Sequence, residues 1–162
     1  MRNLRSVVAA GLAMVLAAVT PVVAQKTTLP ESVTKPSTHR PTITRQLELA
    51  VAEERRALAG FETAATEEDI AVAHQAASNA YVLIRAAREG IFRIKGINSV
   101  KKLPEDPMLE ITFKKVTTAW NRSRGPVDGF HSAGRRDQYM EVARRQIAET
   151  IGMLEELLVI WM

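Results

Sequence analysis

The densest chemistry in this 162-residue chain lies between Trp120 and Arg136, where Arg122, Arg124, His131, Arg135 and Arg136 surround Gly125, Gly129 and Gly134. Trp120 and Phe130 stand beside them. Guanidinium forks match the oxygens of phosphate, sulfate and carboxylate, and a helix starting near Arg135 would add free backbone N–H groups. The chemistry on offer is anion binding. The competing reading is a solvated loop whose bases balance nearby acids and whose aromatic rings pin it to the body of the protein.

No comparable case exists for catalysis. Phe130-His131-Ser132-Ala133-Gly134 meets the nucleophile elbow G-x-S-x-G only in its Ser and last Gly, and no strand precedes it. Carboxylate-bridged metal bundles use E-x-x-H on two helices, and three residues before His74 stands Ala71. His39 and His131 fall outside the expected helices, so no two His are placed locally for one metal. His74 reads as a core or boundary residue bonded to a neighbour. Met140 and Met153 could serve with a His as axial ligands of a noncovalent haem, but methionine ordinarily fills gaps in a core. There is no P-loop, dinucleotide turn, H-E-x-x-H or C-x-x-C-H. The reading is a non-enzyme with no catalytic residue, no metal and no cofactor.

Composition narrows the class. The chain has no Cys, which removes thiolate catalysis, disulfides and Cys-ligated zinc or iron–sulfur centres. Aromatics make up 5% and alanine is abundant, a balance that favours helix–helix packing over a β-sandwich. The first residues have the order of a secretory signal peptide: Arg2 and Arg5, an apolar run Val7–Val19, Pro21, and small residues up to Ala24. That run is shorter than the roughly 20 residues a spanning helix needs. Cleavage would leave Gln25–Met162, exported to a periplasmic or extracellular location, with no later run apolar enough to span a membrane. The alternative is that the segment is kept as an anchor. Without Arg2 and Arg5 the chain holds 20 basic and 18 acidic side chains, a net charge of +2. Export and that small charge argue against a nucleic-acid partner.

Periodicity supplies the elements that must position these residues. Gln25–Pro41, punctuated by Pro30, Pro36 and Pro41, reads as a flexible leader. A first helix is predicted from Thr42 or Thr44, with Ile43, Leu47, Val51, Leu58 and Phe61 on its buried side and Glu48, Glu53, Arg55 and Arg56 turned mostly to water. Thr66 followed by Glu67, Glu68 and Asp69 marks the start of a second, running to about residue 95 and capped near Gly96, with Gly90 weakening it. Asp106 and Pro107 open a short third helix ending near Asn121. The fourth runs from about Arg135 to the C-terminus. The expected fold is all-α: an antiparallel four-helix bundle over residues 42–162, with the second and fourth helices long, one medium, and the third short enough to leave an open end.

Two functional readings follow. In the first, the apolar last turns, with Leu157, Ile160, Trp161 and Met162 as contact residues, bind another protein or a second copy, making the protein a non-catalytic interaction module. In the second, the open end and the basic loop bind a small anionic or amphipathic ligand.

Overall fold

The computed structural model describes residues 28–129 and 136–162, and every regular element among them is helical. Residues 1–24, read from the sequence as a signal peptide, and residues 130–135, including Phe130, His131 and Arg135, lie outside the described residues. The helices are α1 (Glu31–Thr34), α2 (Arg40–Thr63), α3 (Glu67–Val100), α4 (Pro107–Asp128) and α5 (Arg136–Trp161).

Two of the helix starts follow from side-chain chemistry legible in the sequence. Thr66 Oγ1 accepts the Asp69 N–H at 3.2 Å, and the Asp69 carboxylate accepts the Thr66 N–H at 2.9 Å, a reciprocal cap for α3. Hydrogen bonds from the Thr66 hydroxyl and the Thr66 and Ala65 backbone hold the Asp69 carboxyl below its ordinary value. Asp106 accepts the N–H groups of Met108 and Leu109 at 3.0 and 3.3 Å, and Pro107 occupies the first position of α4.

Three boundaries differ from the sequence expectation. The stretch read as a flexible leader holds α1, and α2 already begins at Arg40. Leu29 and Val33 pack on the core, and the buried Gln46 side chain donates to the Val33 and Lys35 carbonyls at 2.9 and 2.8 Å. Helix α3 does not stop at Gly96. It runs to Val100, and the left-handed turn falls on Lys102 (φ 52°), where the N–H groups of Lys102 and Leu103 return to Ser99 and Asn98. Nor is the third long helix short: α4 passes through Gly125-Pro126 for 22 residues. Tyr139 from α5 donates to the Pro126 carbonyl at 2.6 Å, and His74 Nε2 from α3 donates to the Val127 carbonyl at 3.1 Å. Partners on two other helices thus satisfy carbonyls at the end of α4 that a helix terminus leaves bare.

The four long helices pack in a closed cycle, α2 on α3, α3 on α4, α4 on α5 and α5 on α2, with α1 lying on α2 and α3. Matching residues run in opposite order along each pair. Gly60 meets Ala73 while Gly90 meets Ile43. Lys95 meets Glu110 while His74 meets Val127. Lys115 meets Glu156 while Pro126 meets Tyr139. The Arg40 guanidinium lies 4.7 Å from the Trp161 ring, while the rings of Phe61 and Tyr139 stand edge to face at 5.8 Å.

The core is divided in two. One apolar cluster takes Ile43, Leu47 and Val51 from α2, Leu83 to Ile91 from α3, Leu109 to Ala119 from α4, and Leu154, Leu157 and Trp161 from α5. The other joins Ala57, Phe61, Ile70 to Ala77, Ala143 and Ile147. The buried polar residues Glu53, Glu54, Asn79 and Thr150 occupy the chain positions between the two on α2, α3 and α5.

Candidate functional site

The end of the molecule built from the last turns of α3, the α3–α4 elbow, the first turns of α4 and the last turn of α5 carries every exposed large apolar side chain among the described residues. These are Phe92, Ile97, Val100, Leu103, Met108, Ile111, Val159 and Met162. Val100 is 84% exposed and Met162 83%. Single exposed apolar residues are ordinary on a protein surface, whereas a gathering at one end marks a working face. In the sequence these elbow residues stand only as the stretch between the second helix, capped near Gly96, and the third, opening at Asp106 and Pro107. The available signal was that Ile97, Val100 and Leu103 are too apolar for a solvated loop.

A groove of about 830 Å³ runs between α3 and the elbow, lined by Lys95, Asn98, Leu103, Pro107, Leu109 and Ile111 among others. That volume lies in the range of small-ligand sites, about 300–1,000 Å³. Its lining carries Lys95 against Glu105, Asp106 and Glu110; Lys95 bonds Glu110, and this pairing holds the Glu110 carboxyl below its ordinary value. The backbone N–H groups at the start of α4 are taken by Asp106. A smaller depression, about 280 Å³, joins Arg40, Met108, Leu109, Ile160, Trp161 and Met162.

The C-terminal residues singled out from the sequence divide between inside and outside. Leu157 and Trp161 belong to the core, with Trp161 roofed by Arg40, so their apolar surface is spent within the chain. Ile160 is half-buried and Met162 exposed beside the elbow.

The described members of the arginine set do not converge. Arg122, on α4, pairs with Glu149 of α5 at 3.2 Å. Arg124 pairs with Asp128 one turn on at 2.7 Å, and that carboxylate raises the guanidinium's pKa further. Arg136 reaches Glu67 at 3.2 Å and the Ala65 carbonyl at 3.3 Å. Each guanidinium is engaged with an acid of the same chain. Trp120 stacks on Tyr81, and Arg88 lies over its face at 4.8 Å. No group of three or more His, Asp or Glu among the described residues is placed to hold a metal ion. His74, half-buried, is bonded to the Val127 carbonyl as its sequence position implied.

A second feature is the polar band between the two apolar clusters. Asn79 donates to Glu53 at 3.2 Å, and Glu53 also pairs with Arg56 at 2.9 Å. Glu54 is fully buried, and its Oε2 has no hydrogen-bond partner. Burial raises its carboxyl from 4.5 to about 8, so it is mostly protonated at neutral pH. Glu54 lines neither the groove nor the depression described above.

Compared with family models, curated proteins and solved structures, the chain matches none.

Proposed function

We propose that this is an exported, non-catalytic interaction module: an antiparallel four-helix bundle that docks through the apolar end centred on the α3–α4 elbow. The observation that carries the reading is the confinement of the exposed large apolar side chains to that end, while the opposite end exposes none among the described residues. The reversed order of matching residues around the closed cycle of α2, α3, α4 and α5 supports the antiparallel arrangement. The signal-like start, charge followed by a short apolar run, supports export.

The docking surface shifts relative to the sequence reading. Leu157 and Trp161 face inward, and Val100, Leu103, Met108, Ile111 and Met162 take their place. Binding of a small amphipathic ligand in the elbow groove is the second reading, supported by its volume and its mixed lining. Anion binding by the arginines has weaker support, because Arg122, Arg124 and Arg136 already have carboxylate partners.

A photo-crosslinking residue at Leu103, with a second at exposed Gln138 on the opposite end as control, tests the docking face in the full chain in its own host. Adducts from position 103 and not from 138 are expected. Equal yields from both, or none from 103, would refute the reading.

A further inference from the structure

We propose that the α3–α4 elbow docks onto an anionic lipid surface; this names the partner of the docking face and rests on that reading of it. Three observations converge. First, Val100 and Leu103 stand exposed on either side of Lys101-Lys102, at the turn where Lys102 adopts φ 52°. Side chains projecting from a turn can enter a fluid layer without a shaped partner.

Second, the cations there are uncommitted. Arg93, Lys101 and Lys102 are exposed and form no ion pair among the described residues, whereas Lys95 and Lys114 are occupied by Glu110. Of the nearby acids, Asp106 caps α4 and only Glu105 is free. Lysine is depleted at protein–protein interfaces, whose cores exclude charge. Lysine interleaved with apolar side chains is instead the pattern of elements lying in a membrane interface, where headgroups take the cations and acyl chains take the apolar groups. This contrast favours lipid over a protein partner.

Third, the chain enters the fold at this end. Leu29 and Val33 pack on the cluster that includes Ile91 and Trp161, and in the sequence Leu29 follows the apolar run Val7–Val19 by ten residues. The mode is surface attachment, because no helix among the described residues is long and apolar enough to cross a membrane.

The test uses the full-length chain and sedimentation with vesicles of pure phosphatidylcholine, or of equal parts phosphatidylcholine and phosphatidylglycerol. The run Val7–Val19 is common to every variant and adds the same background. Two elbow variants, Lys101→Glu with Lys102→Glu and Val100→Ser with Leu103→Ser, are compared with Arg124→Glu plus Arg145→Glu, an equal charge change away from the elbow. Helicity by circular dichroism confirms folding; should the serine pair lose helicity, the lysine pair decides alone. The expected result is preference for the anionic vesicles, weakened by salt, and a loss of roughly tenfold or more in the elbow variants with the control close to wild type. Equal binding to both vesicle types, or elbow variants that bind like wild type, would overturn the proposal. If vesicles are not bound while a crosslinker at Leu103 still yields a protein adduct, the lipid inference falls and the docking reading survives. If neither is seen, both fall.

Discussion

At the scale of single residues, Glu54 sets the most direct prediction. Its carboxyl ionises near 4.5 in the unfolded chain and near 8 in the folded one. Its contribution to stability is therefore complete below about 4.5 and is lost as pH rises through about 8. Within that window stability is expected to fall by up to about 1.4 kcal/mol per pH unit. Urea denaturation at pH 5, 6.5 and 8 checks this, and Glu54→Gln should flatten the slope and exceed wild type at pH 8. An unchanged slope would mean that Glu54 is not buried as described. The hydrogen-bonded carboxylates of Asp69, Glu110 and Glu156 act in the opposite sense at the acid end, since their carboxyls sit below the ordinary range. The hydrophobic stripe of α2 was legible from Ile43, Leu47, Val51 and Phe61, but the buried state of Glu53 and Glu54 was not. Both neighbour that stripe, and only packing against α3 and α5 turns their edge of the helix inward.

Elements were legible where local chemistry decides them. The Thr66 and Asp106 caps act within one turn of the chain, so α3 and α4 begin where the sequence indicates. Helix ends governed by distant residues were not. Gly125-Pro126 has the local signature of a loop, yet α4 continues because Tyr139 and His74 supply donors from other helices. Tyr139→Phe should cost about 1 kcal/mol and speed amide exchange at Gly129, whose N–H bonds the Gly125 carbonyl. Gly90 gives the sharper case. A Cβ there would collide with the Ser37 carbonyl oxygen and press on Ile43, because the segment before α2 crosses α3 at this point. Gly90→Ala is expected to destabilise by about 1–3 kcal/mol through overpacking, despite a helix-propensity gain of about 1 kcal/mol. Gly96→Ala, where a Cβ meets nothing within 4 Å, should stabilise by about 0.5–1 kcal/mol. Thermal or urea midpoints of the two variants should move in opposite directions.

On the scale of the whole molecule, the two ends differ in kind. The end with the α3–α4 elbow exposes apolar side chains, while the end bearing the starts of α3 and α5 is tied by Arg136 to Glu67 and to the Ala65 carbonyl. This polarity separates residues of similar composition. Leu157→Ala or Trp161→Ala should cost about 2–5 kcal/mol, as removals from a core. Val159→Ser, at an exposed site, should stay within about 0.5 kcal/mol, and denaturant titration distinguishes the two classes. Deleting residues 157–162 would therefore remove core and surface together. Docking is better tested by substitutions at Val100, Leu103 and Ile111, which leave the core intact.

By itself the sequence determined what depends on near neighbours along the chain: helical class, two caps, the apolar stripes and a charged start followed by a short apolar run. Periodicity and capping are local physics, repeated every few residues. The tertiary structure alone decided which apolar groups remain exposed and which arginines meet an acid. It also decided how far α4 continues and that the core is split by a polar band. Those outcomes depend on which residue of one helix faces which residue of another. Such pairings join side chains as far apart as Arg55 and Glu155, 2.6 Å across α2 and α5, and no local pattern encodes them.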